Sequence, residues 1–449
     1  MTKKTNTKLS FIGLGYVGLT TSICFANKGF HVIGVDVDKS KLKKISSGKP
    51  GIFEPNLNEL LCKVLKTKRF SISDNLSDSI KKSDVTFITV GTPANHDGSV
   101  GLQFIKSAAT DIGHALKNKS SYHLVVVKST IVPGTTENII VPIITKISDK
   151  KYNEDFGICY NPEFLSEGSA INDMNNPDKI VLGSSNSKSK KIINNLYNIF
   201  YSTQKINIVN TTIPNAELIK YANNAFLATK ISYINTIANI CNNIPNVNVD
   251  EIARAIGLDN RINSKFLSAG PGYGGSCFPK DVKALIQFSS SLDYSPKLLI
   301  AVDEVNQLQP ILIINIIKQK LPFIDNKTIS ILGLAFKSKT NDMRESVAIK
   351  IINELLKQNS TVKVHDPEAI DNAKQIFGDR VDYNNNIIEA IKNSDCCVIL
   401  NDSIEYKSLK PTIFKKYMNK ALVIDTKRIF NYSEFNEVVD YYCYGVGSY

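Results

Sequence analysis

The stretch Gly13-Leu14-Gly15-Tyr16-Val17-Gly18 decides the fold, because the residues around it complete a βαβ pattern. A short apolar strand is predicted at 8–11 and a helix at 19–27. A second strand is predicted at 30–35, and it ends at Asp36. This order of strand, glycine turn, helix, strand and acid is typical of a dinucleotide-binding unit. In such a unit the N-terminus of the helix attracts a pyrophosphate.

The acid at the end of the second strand indicates which dinucleotide is bound. Asp36 lies 18 residues beyond Gly18, where a carboxylate accepts hydrogen bonds from ribose hydroxyls. The same carboxylate would repel a 2′-phosphate, so the sequence favours NAD over NADP. Lys39 and Lys41 stand nearby and keep the second possibility open.

Further predicted strands in the first half of the chain end in polar segments. Ligands bind beyond the carboxyl ends of strands in open α/β sheets, so these segments are candidate site loops. They are Gly91-Thr92-Pro93 after strand 85–90, Lys128-Ser129-Thr130 after strand 124–127, and Asn161-Pro162-Glu163-Phe164-Leu165-Ser166-Glu167-Gly168 after strand 156–160.

A cysteine in a glycine-rich loop is the main catalytic candidate. Cys277 follows Gly270-Pro271-Gly272-Tyr273-Gly274-Gly275-Ser276, and Lys280 and Asp281 come shortly after it. Glycines allow a close approach of the backbone to a ligand, and a cation beside a thiol favours the nucleophilic thiolate. The alternative is a buried structural cysteine beside a turn.

The second half of the chain begins with helical patterns. The segment 214–242 predicts a helix that places Lys220 and Asn224 on one face. Another long helix is predicted at 295–321, where Pro310 would kink or break it, and the apolar residues 311–317 are assigned to core in preference to dimer surface.

A second α/β sheet is predicted near the C-terminus. Its first turn, Gly333-Leu334-Ala335-Phe336-Lys337, lacks the full glycine fingerprint, so we expect it not to hold a whole dinucleotide. Lys337 and Arg344 either hold a phosphorylated ligand or are solvated surface charges. The predicted strands are 328–334, 361–365, 396–400 and 422–425, and a helix is predicted at 346–357.

The composition is that of a globular protein with a basic balance. The chain has 449 residues, 43% hydrophobic and 21% charged, and a net charge of +12. Such a charge suits acidic partners, but the basic residues form no run of four or more, which disfavours nucleic-acid binding. None of the eight cysteines forms a CxxC pair, so no metal site is expected. The absence of long apolar segments and of a signal-peptide pattern predicts a cytoplasmic protein that does not enter a membrane.

Together these motifs resemble the UDP-glucose 6-dehydrogenase family of nucleotide-sugar dehydrogenases over nearly the whole chain. The resemblance also rests on Ala-Glu-Leu-Ile-Lys-Tyr-Ala-Asn-Asn-Ala-Phe at 216–226, on Phe266-Leu267-Ser268-Ala269-Gly270, and on Ala335-Phe336-Lys337, Asp342 and Arg344. It implies an α/β fold in which two Rossmann-like, doubly wound parallel-sheet domains are joined by a central helical dimerisation region. The expected division is an NAD-binding domain at 1–205, a helical domain with the cysteine loop at 206–322, and a UDP-sugar-binding domain at 323–449.

The resemblance implies a four-electron oxidation of UDP-glucose at C6 to UDP-glucuronate, with two NAD reduced. The Cys277 thiolate would add to the C6 aldehyde, and loss of a second hydride would leave a thioester that water hydrolyses. Lys220 would stabilise negative charge on the C6 oxygen, Asn224 would donate a hydrogen bond there, and Asp281 would hold a water. The base of the first step stays open.

The family pattern assigns roles to individual residues. The catalytic set is Thr130, Glu163, Lys220, Asn224, Cys277 and Asp281. The cofactor set is Gly13, Gly15, Tyr16, Val17, Gly18, Asp36, Lys41, Thr92, Thr130, Glu167, Lys280 and Arg344. The substrate set is Glu163, Phe164, Leu165, Glu167, Lys220, Asn224, Arg261, Phe266, Leu267, Ser268, Ala269, Gly270, Gly274 and Lys337. Arg261 matches an arginine that reaches a neighbouring subunit's substrate, which implies a homodimer or a higher homo-oligomer.

Other interpretations remain. The enzyme could oxidise GDP-mannose or a UDP-N-acetylhexosamine, although the stretch 266–275 resembles the UDP-glucose branch most. A non-catalytic nucleotide-sugar binder would have no use for the nucleophile, and a simple hydroxyacid dehydrogenase would yield one NADH per substrate. Taken alone, Glu163 and Glu167 could be charges at a helix N-terminus, and Lys220 a solvated lysine.

Overall fold

The structure, a computed structural model, describes residues 7–447. The chain divides into two compact units between Asn223 and Asn224, within a long helix. Each unit is built around one sheet, with eight strands in the first and six in the second.

The first sheet is parallel except at one position. Its order is β3-β2-β1-β4-β5-β6-β7-β8, and only β7 runs antiparallel to its neighbour β6. The reversal of strand order beside β1 is the doubly wound arrangement, and it opens a crevice at the carboxyl ends of β1 and β4. The strands are β1 Lys8–Ile12, β2 His31–Val35, β3 Phe70–Ser73, β4 Val85–Ile88, β5 His123–Val127, β6 Phe156–Tyr160, β7 Ile180–Ser184 and β8 Ile208–Thr211.

Helices cover both faces of the first sheet, which explains why its central strands are apolar without alternation. All five residues of β5 and of β6 are buried, as expected for a parallel sheet covered on two sides. The helices are α1 Tyr16–Asn27, α2 Lys39–Ser46, α3 Leu57–Lys66, α4 Leu76–Lys81, α5 Gln103–Lys117, α6 Val141–Ser148, α7 Ala170–Asn175 and α8 Ser187–Phe200, with a π-helical turn at Thr136–Ile140.

Helix α1 begins earlier than the predicted residue 19. Gly15 has extended backbone, with φ −74° and ψ −165°, and serves as its N-cap, so the helix starts at Tyr16 directly after the turn. The helix N-terminus therefore lies closer to β1 than the sequence pattern indicated. This position suits the binding of an anion by the free amides of the first turn.

Two long helices separate the sheets in the sequence. Helix α9 spans Ile213–Cys241, close to the predicted 214–242, and α12 spans Lys297–Lys320. Helix α12 runs through Pro310 without a break, and it is long and apolar enough to cross a membrane by length and composition alone. However, Ile313, Ile314 and Ile317 of α12 belong to the largest hydrophobic core of the second unit, which identifies it as a core helix and stabilises it across the proline.

The second sheet is parallel throughout the described residues. Its order is β11-β10-β9-β12-β13-β14. The strands are β9 Thr328–Leu332, β10 Thr361–His365, β11 Asp382–Tyr383, β12 Cys396–Ile399, β13 Leu422–Asp425 and β14 Asp440–Cys443. The remaining helices are α10 Val249–Gly257, α11 Phe278–Ser290, α13 Val347–Lys357, α14 Ile370–Phe377, α15 Ile387–Ile391, α16 Ile404–Lys407, α17 Pro411–Tyr417 and α18 Tyr432–Asn436, with a 3₁₀ turn at Gly378–Arg380.

The first turn of the second sheet is closed by the protein's own side chains. One carboxylate oxygen of Asp366, at the end of β10, accepts hydrogen bonds from the amides of Leu334 and Ala335, at 2.7 and 3.1 Å. A Cβ atom on Gly333 would lie 2.6 Å from the side chain of Asn401. The Leu334 bond matches the bond that Asp36 accepts from the Leu14 amide in the first unit, so the additional bond from Ala335 is what distinguishes the second turn.

Candidate active site

The glycine turn of the first unit is tight on one side and open on the other. Gly13 has φ +91° and its amide donates to the carbonyl of Val35 at 2.8 Å. A Cβ on Gly18 would lie 1.9 Å from the carbonyl oxygen of Gly13, so α1 packs directly against the turn. A Cβ on Gly15 would meet nothing within 4 Å, which leaves space for a ligand above the first turn of α1.

Asp36 is oriented by a hydrogen bond from the glycine turn and forms an ion pair with a neighbouring lysine. Its side chain, 7% exposed, accepts a hydrogen bond from the amide of Leu14 at 2.8 Å. Lys41 Nζ lies 2.8 Å from the same carboxylate oxygen, Oδ2. Lys39 instead pairs with exposed Asp74 at 3.7 Å. The sequence left NADP binding open because of Lys39 and Lys41. In the structure, Lys41 forms an ion pair with Asp36, the residue that is expected to select NAD.

A glutamate that sequence reasoning missed joins the glycine turn to a second candidate loop. Buried Glu54 accepts hydrogen bonds from the hydroxyl of Tyr16 and from the amides of Gly168 and Ile171, the latter two at 2.8 and 3.3 Å. Burial and the Glu54 carboxylate raise the pKa of Tyr16, so its hydroxyl stays a donor. Glu54 thereby fixes the loop that contains half-buried Glu167.

Two of the predicted loops meet beside the glycine turn. The hydroxyl of Ser129 donates to the carbonyl of Val90 at 2.7 Å, so the loop after β5 is tied to the loop after β4. Thr92 and Thr130, one on each loop, are half-buried, as is Val17 on α1. These threonines are therefore held on neighbouring strand ends, at the edge of the sheet where the glycine turn lies.

A buried ion pair lies between the loop after β6 and helix α9. Lys220 Nζ is 2.8 Å from Glu163 Oε1 and 2.6 Å from the Glu163 carbonyl oxygen. The two side chains are 3% and 6% exposed. The second carboxylate oxygen of Glu163 accepts from the amide of Leu165 at 2.7 Å, and the Lys220 ammonium is 5.5 Å from the ring centre of Phe164. The interpretation of Lys220 as a solvated lysine is therefore wrong.

The charges around Glu163 determine its protonation. Burial alone would raise the pKa of Glu163, but Lys220, the Leu165 amide and Lys128 together outweigh burial and hold the pKa below its usual range. Burial, with a smaller contribution from Lys220, lowers the pKa of Lys128 to about 8, although Glu163 opposes the shift. At neutral pH Glu163 is thus an ionised carboxylate facing two cations.

Lys128 and Asn161 are further buried residues of this region that sequence reasoning did not assign. Lys128 Nζ donates to Asn161 Oδ1 at 3.1 Å, and the hydroxyl of Tyr197 donates to the same oxygen. Asn161 Nδ2 donates to the carbonyl of Val181 at 3.0 Å, which fixes the orientation of its amide. The sequence signal that could have identified Lys128 is its position directly after an apolar strand, because a lysine is rarely buried unless it is paired.

In the second unit, Asp281 is the centre of a second polar group. Asn224 Nδ2 donates to Asp281 Oδ2 at 2.7 Å, and Lys280 Nζ is 2.6 Å from Asp281 Oδ1. Asp281 is 1% exposed and Asn224 4% exposed. Both carboxylate oxygens of Asp281 are therefore hydrogen-bonded by protein donors, and the predicted water would have to share one of them.

Cys277 lies at the N-terminus of helix α11. It is the N-cap residue, it is partly exposed, and its Sγ is 3.6 Å from the hydroxyl of Ser276. The helix dipole and the free amides of the first turn favour a thiolate at this position. The predicted partner cation, Lys280, lies in the first turn of α11 and pairs with Asp281, and the helix end adds its own positive field beside the thiol.

The cysteine loop packs against the segment that follows β9. Gly275 has φ +83°, and its amide donates to the carbonyl of Arg344 at 2.9 Å. A Cβ on Gly274 would lie 2.4 Å from the carbonyl oxygen of Glu345, so only glycine fits. Lys337, with its ammonium 5.5 Å from the ring centre of Phe336, lies on the same segment.

The other predicted substrate residues of this unit form the start of the cysteine loop. Phe266 has φ +66° and is 40% exposed, Leu267 and Ala269 are buried, and Ser268 is exposed. The amide of Gly270 donates to Asn235 Oδ1 at 2.8 Å. A Cβ on Gly270 would lie 3.1 Å from the ammonium of Lys427, a lysine absent from the predicted set although it follows strand β13.

Two predicted arginines are bound by neighbouring aspartates. Arg261, 90% exposed, forms a bidentate pair with Asp259, and Arg344, 64% exposed, forms one with Asp342. Arg261 lies between α10 and the start of the cysteine loop, five residues before Phe266, and its side chain is exposed on the surface of its unit. In one chain the Arg261 guanidinium is therefore engaged by Asp259.

The first unit fits NAD. The open space at Gly15, the free N-terminus of α1 and the carboxylate of Asp36 match the pyrophosphate and ribose of a dinucleotide. The first unit also holds a buried ion pair at the same edge of its sheet, and the second unit places a cysteine at a helix N-terminus. Together these features define an NAD-binding oxidoreductase.

Comparison with known proteins identifies the family. Three models of the UDP-glucose/GDP-mannose dehydrogenase family match, the NAD binding domain over residues 7–201, the central domain over 214–308 and the UDP binding domain over 330–432. The chain belongs to this family, as the sequence motifs predicted.

Relatives and solved structures agree with this assignment over the full chain. UDP-glucose 6-dehydrogenase TuaD of Bacillus subtilis (strain 168) is 39% identical over 440 residues, 98% of this chain and 93% of that protein. UDP-glucose 6-dehydrogenase AglM of Haloferax volcanii is 40% identical over 423 residues, covering 94% and 97%. The structure of a UDP-glucose dehydrogenase from Pyrobaculum islandicum aligns with a TM-score of 0.92 at 33% identity over 99% of both chains. A UDP-D-ManNAc dehydrogenase from Pyrococcus horikoshii aligns with a TM-score of 0.86 at 25% identity, covering 99% and 100%.

Proposed function

We propose that this protein oxidises UDP-glucose at C6 to UDP-glucuronate and reduces two NAD for each sugar. The observation that carries the proposal is Cys277 at the N-terminus of α11, since an alcohol dehydrogenase that stops at the aldehyde needs no nucleophile. The identity of 39% and 40% to two UDP-glucose 6-dehydrogenases supports UDP-glucose as the substrate.

In the first oxidation, the C6 alcohol would transfer a hydride to NAD held at the turn of residues 13–18 and release its hydroxyl proton to solvent. The Lys220 ammonium, hydrogen-bonded to Glu163, stabilises the negative charge that develops on the C6 oxygen. Asn224 donates a hydrogen bond to the same oxygen. Thr130 lies on the loop after β5 and helps to orient the cofactor against C6.

In the second oxidation, the Cys277 thiolate adds to the aldehyde carbon and forms a thiohemiacetal. Transfer of a hydride from C6 to a second NAD, with release of the hydroxyl proton to solvent, would leave a thioester. Water then adds to the thioester carbon, and the thiolate leaves as the carboxylate forms. Glu163 is ionised at neutral pH because Lys220 and Lys128 lower its pKa against the effect of burial, so it can accept the proton of that water. Asp281 orients the water.

The remaining site residues bind the two ligands. We assign Gly13, Gly15, Tyr16, Val17, Gly18, Asp36, Lys41, Thr92, Glu167, Lys280 and Arg344 to NAD. We assign Phe164, Leu165, Phe266, Leu267, Ser268, Ala269, Gly270, Gly274 and Lys337 to the UDP-sugar. We retain the division into an NAD-binding domain at 1–205, a central helical domain at 206–322 and a UDP-sugar-binding domain at 323–449 as part of the proposal.

The NADH yield tests the reaction. We expect two NADH per UDP-glucose and no released aldehyde, with poor turnover of GDP-mannose and UDP-N-acetylhexosamines. The Cys277→Ala variant should still bind NAD but form no uronate, with a loss of about 10²–10³ or more in rate. One NADH per sugar, a preference for another nucleotide sugar, or unchanged turnover of the variant would each contradict the proposal.

We also propose that the enzyme is a homodimer or higher homo-oligomer with a shared site. Helix α9 exposes Phe226, Tyr233 and Ile240, which are spaced by seven residues and so form one apolar stripe. Exposed Arg261 would reach the substrate of the partner subunit. Inactive Arg261→Ala and Cys277→Ala proteins, when mixed and re-equilibrated, should regain about a quarter of wild-type activity, because half the dimers then hold one intact site. No recovery in re-equilibrated dimers would refute a shared site.

The proposed compartment is the cytoplasm. All eight cysteines carry free thiols, six of them buried, which is typical of a protein in a reducing environment. Treatment with an oxidant should therefore inactivate the enzyme through partly exposed Cys277, and a thiol reductant should not destabilise the fold.

A further inference from the structure

A buried glutamate on helix α9 lies outside the proposed catalytic set. Glu217 is fully buried, and its carboxylate accepts three hydrogen bonds from one segment of the chain. Oε2 accepts from the amide of Gly134 at 2.7 Å. Oε1 accepts from the amide of Thr136 at 3.0 Å and from the Thr136 hydroxyl at 2.6 Å. One side chain thus fixes two residues that are 81 or more positions away in the sequence.

The segment that Glu217 holds is the continuation of the Thr130 loop. Gly134 has φ +86°, and the π-helical turn Thr136–Ile140 follows it, so the backbone here is irregular. On the other side of Thr130, the Ser129 hydroxyl bonds the carbonyl of Val90. Thr130 therefore lies on a short loop that is attached at both ends.

The position of Glu217 along α9 connects this loop to the substrate-binding part of the site. Glu217 precedes Lys220 by three residues, so the two side chains leave neighbouring positions of one helical surface. The bonds to Gly134 and Thr136 fix the Thr130 loop to the helical turn that carries Lys220. Burying a carboxylate is costly even when it is hydrogen-bonded, and burial raises the pKa of Glu217 to about 6 despite the three bonds.

We propose that Glu217 is a positioning residue, which sets the distance between the cofactor loop at Thr130 and the substrate lysine Lys220. This inference rests on the proposed function, because it takes Thr130 and Lys220 as the cofactor and substrate contacts of one hydride transfer. Hydride transfer is sensitive to such distances, since a displacement near 1 Å can cost about 10²-fold in rate.

The test compares three variants of the full-length enzyme. Glu217→Gln keeps the size of the side chain but places an amide donor opposite the Gly134 amide, so that bond is lost. Thr136→Val removes only the hydroxyl donor. The matched control is Ser148→Ala, which removes a buried hydroxyl that donates to the Ile144 carbonyl at 2.6 Å on the following helix α6. Each variant is assayed for kcat, KM, melting temperature and amide exchange of residues 128–140.

We expect Glu217→Gln to lower kcat about 10- to 100-fold while the KM for the nucleotide sugar changes less than about threefold. Thr136→Val should lower kcat in the same manner but less, and both should increase amide exchange near residue 134. Ser148→Ala should lower only the melting temperature. The inference is overturned if folded Glu217→Gln retains kcat within about twofold of the wild type, or if Ser148→Ala loses kcat equally.

The two proposals fail in different ways. If the wild-type enzyme does not oxidise UDP-glucose, the proposed substrate is wrong, and the variants are assayed with whichever of GDP-mannose or the UDP-N-acetylhexosamines it oxidises. If the wild type yields two NADH from UDP-glucose but Glu217→Gln shows faster amide exchange with unchanged kcat, the positioning role alone is refuted.

Discussion

The ion pair of Lys220 and Glu163 permits a prediction whose size follows from the structure. Both side chains are nearly fully buried and their charged atoms are 2.8 Å apart. Replacing Lys220 by methionine keeps the length of the side chain but removes the positive charge. Glu163 is then a buried carboxylate without its closest cation, and it either remains ionised at a high cost or takes up a proton.

The cost depends on pH in a defined direction. In the unfolded chain the pKa of Glu163 returns to its ordinary value of 4.5, so that carboxyl is ionised above this pH. In the folded variant, burial raises the pKa, and stability is lost as pH rises above 4.5. Between pH 5 and 7 the loss is at most about 2.7 kcal/mol, which is two units at about 1.36 kcal/mol each. Lys128, which remains in place, reduces the loss.

In the wild-type protein, Glu163 gives no such loss of stability with rising pH. Lys220 holds the pKa of folded Glu163 below 4.5, so the group is ionised in both the folded and the unfolded state. The measurement is the melting temperature of the first unit, for the wild type and Lys220→Met, at pH 5 and pH 7. For a unit of this size, the maximum loss corresponds to an additional decrease of about 5–11 °C at pH 7 relative to pH 5.

Two controls make this prediction specific. The double variant Lys220→Met/Glu163→Gln should show no pH-dependent difference, because the titrating group is gone. Lys39→Met removes an exposed lysine that is 3.7 Å from exposed Asp74, and it should change stability by less than about 0.5 kcal/mol at either pH. If Lys220→Met lowers the melting temperature equally at pH 5 and pH 7, the assignment of Glu163 as a buried ionised carboxylate is wrong.

Three further predictions concern the first unit. Asp36→Ala should shift coenzyme preference toward NADP, because Lys41 loses its partner and can bind a 2′-phosphate; the ratio of kcat/KM for NADP and NAD measures this. Gly18→Ala should abolish NAD binding in a titration or prevent folding, because its Cβ would lie 1.9 Å from the Gly13 carbonyl oxygen. Burial raises the pKa of Glu217 from 4.5 to about 6, so its effect on stability is favourable at low pH and is lost as pH rises through 6. Between pH 4.5 and pH 6.5, the free energy of unfolding of the wild type should decrease by about 1.5 kcal/mol more than that of Glu217→Gln.

Several parts of the site follow from local sequence alone. The first turn requires glycines because its strand and helix approach the turn too closely for a side chain. This steric requirement produces a recognisable pattern within a few residues. Asp36 is recognisable because it ends the next strand at a fixed distance. The cysteine loop is recognisable because glycines precede a nucleophile, and Pro279 after it suits the first turn of a helix.

Other parts were decided by the tertiary structure. Pro310 was predicted to kink or break its helix; α12 is not broken there, because its isoleucines pack in the core. Lys280 was expected to act on the Cys277 thiol; the folded chain pairs this lysine with Asp281 and places the thiol at a helix N-terminus, which the sequence analysis did not predict.

The sequence by itself determined the two α/β sheets and the dinucleotide turn, and it predicted the candidate reactive groups, since each leaves a periodic or closely spaced pattern. Only the tertiary structure decided which charges are paired and which are buried. Glu54, Lys128 and Glu217 bond groups that are between 33 and 117 residues away, and no local pattern encodes such a partner. The physical reason is that a buried polar group must be satisfied by whatever donor or acceptor the folded chain brings to it.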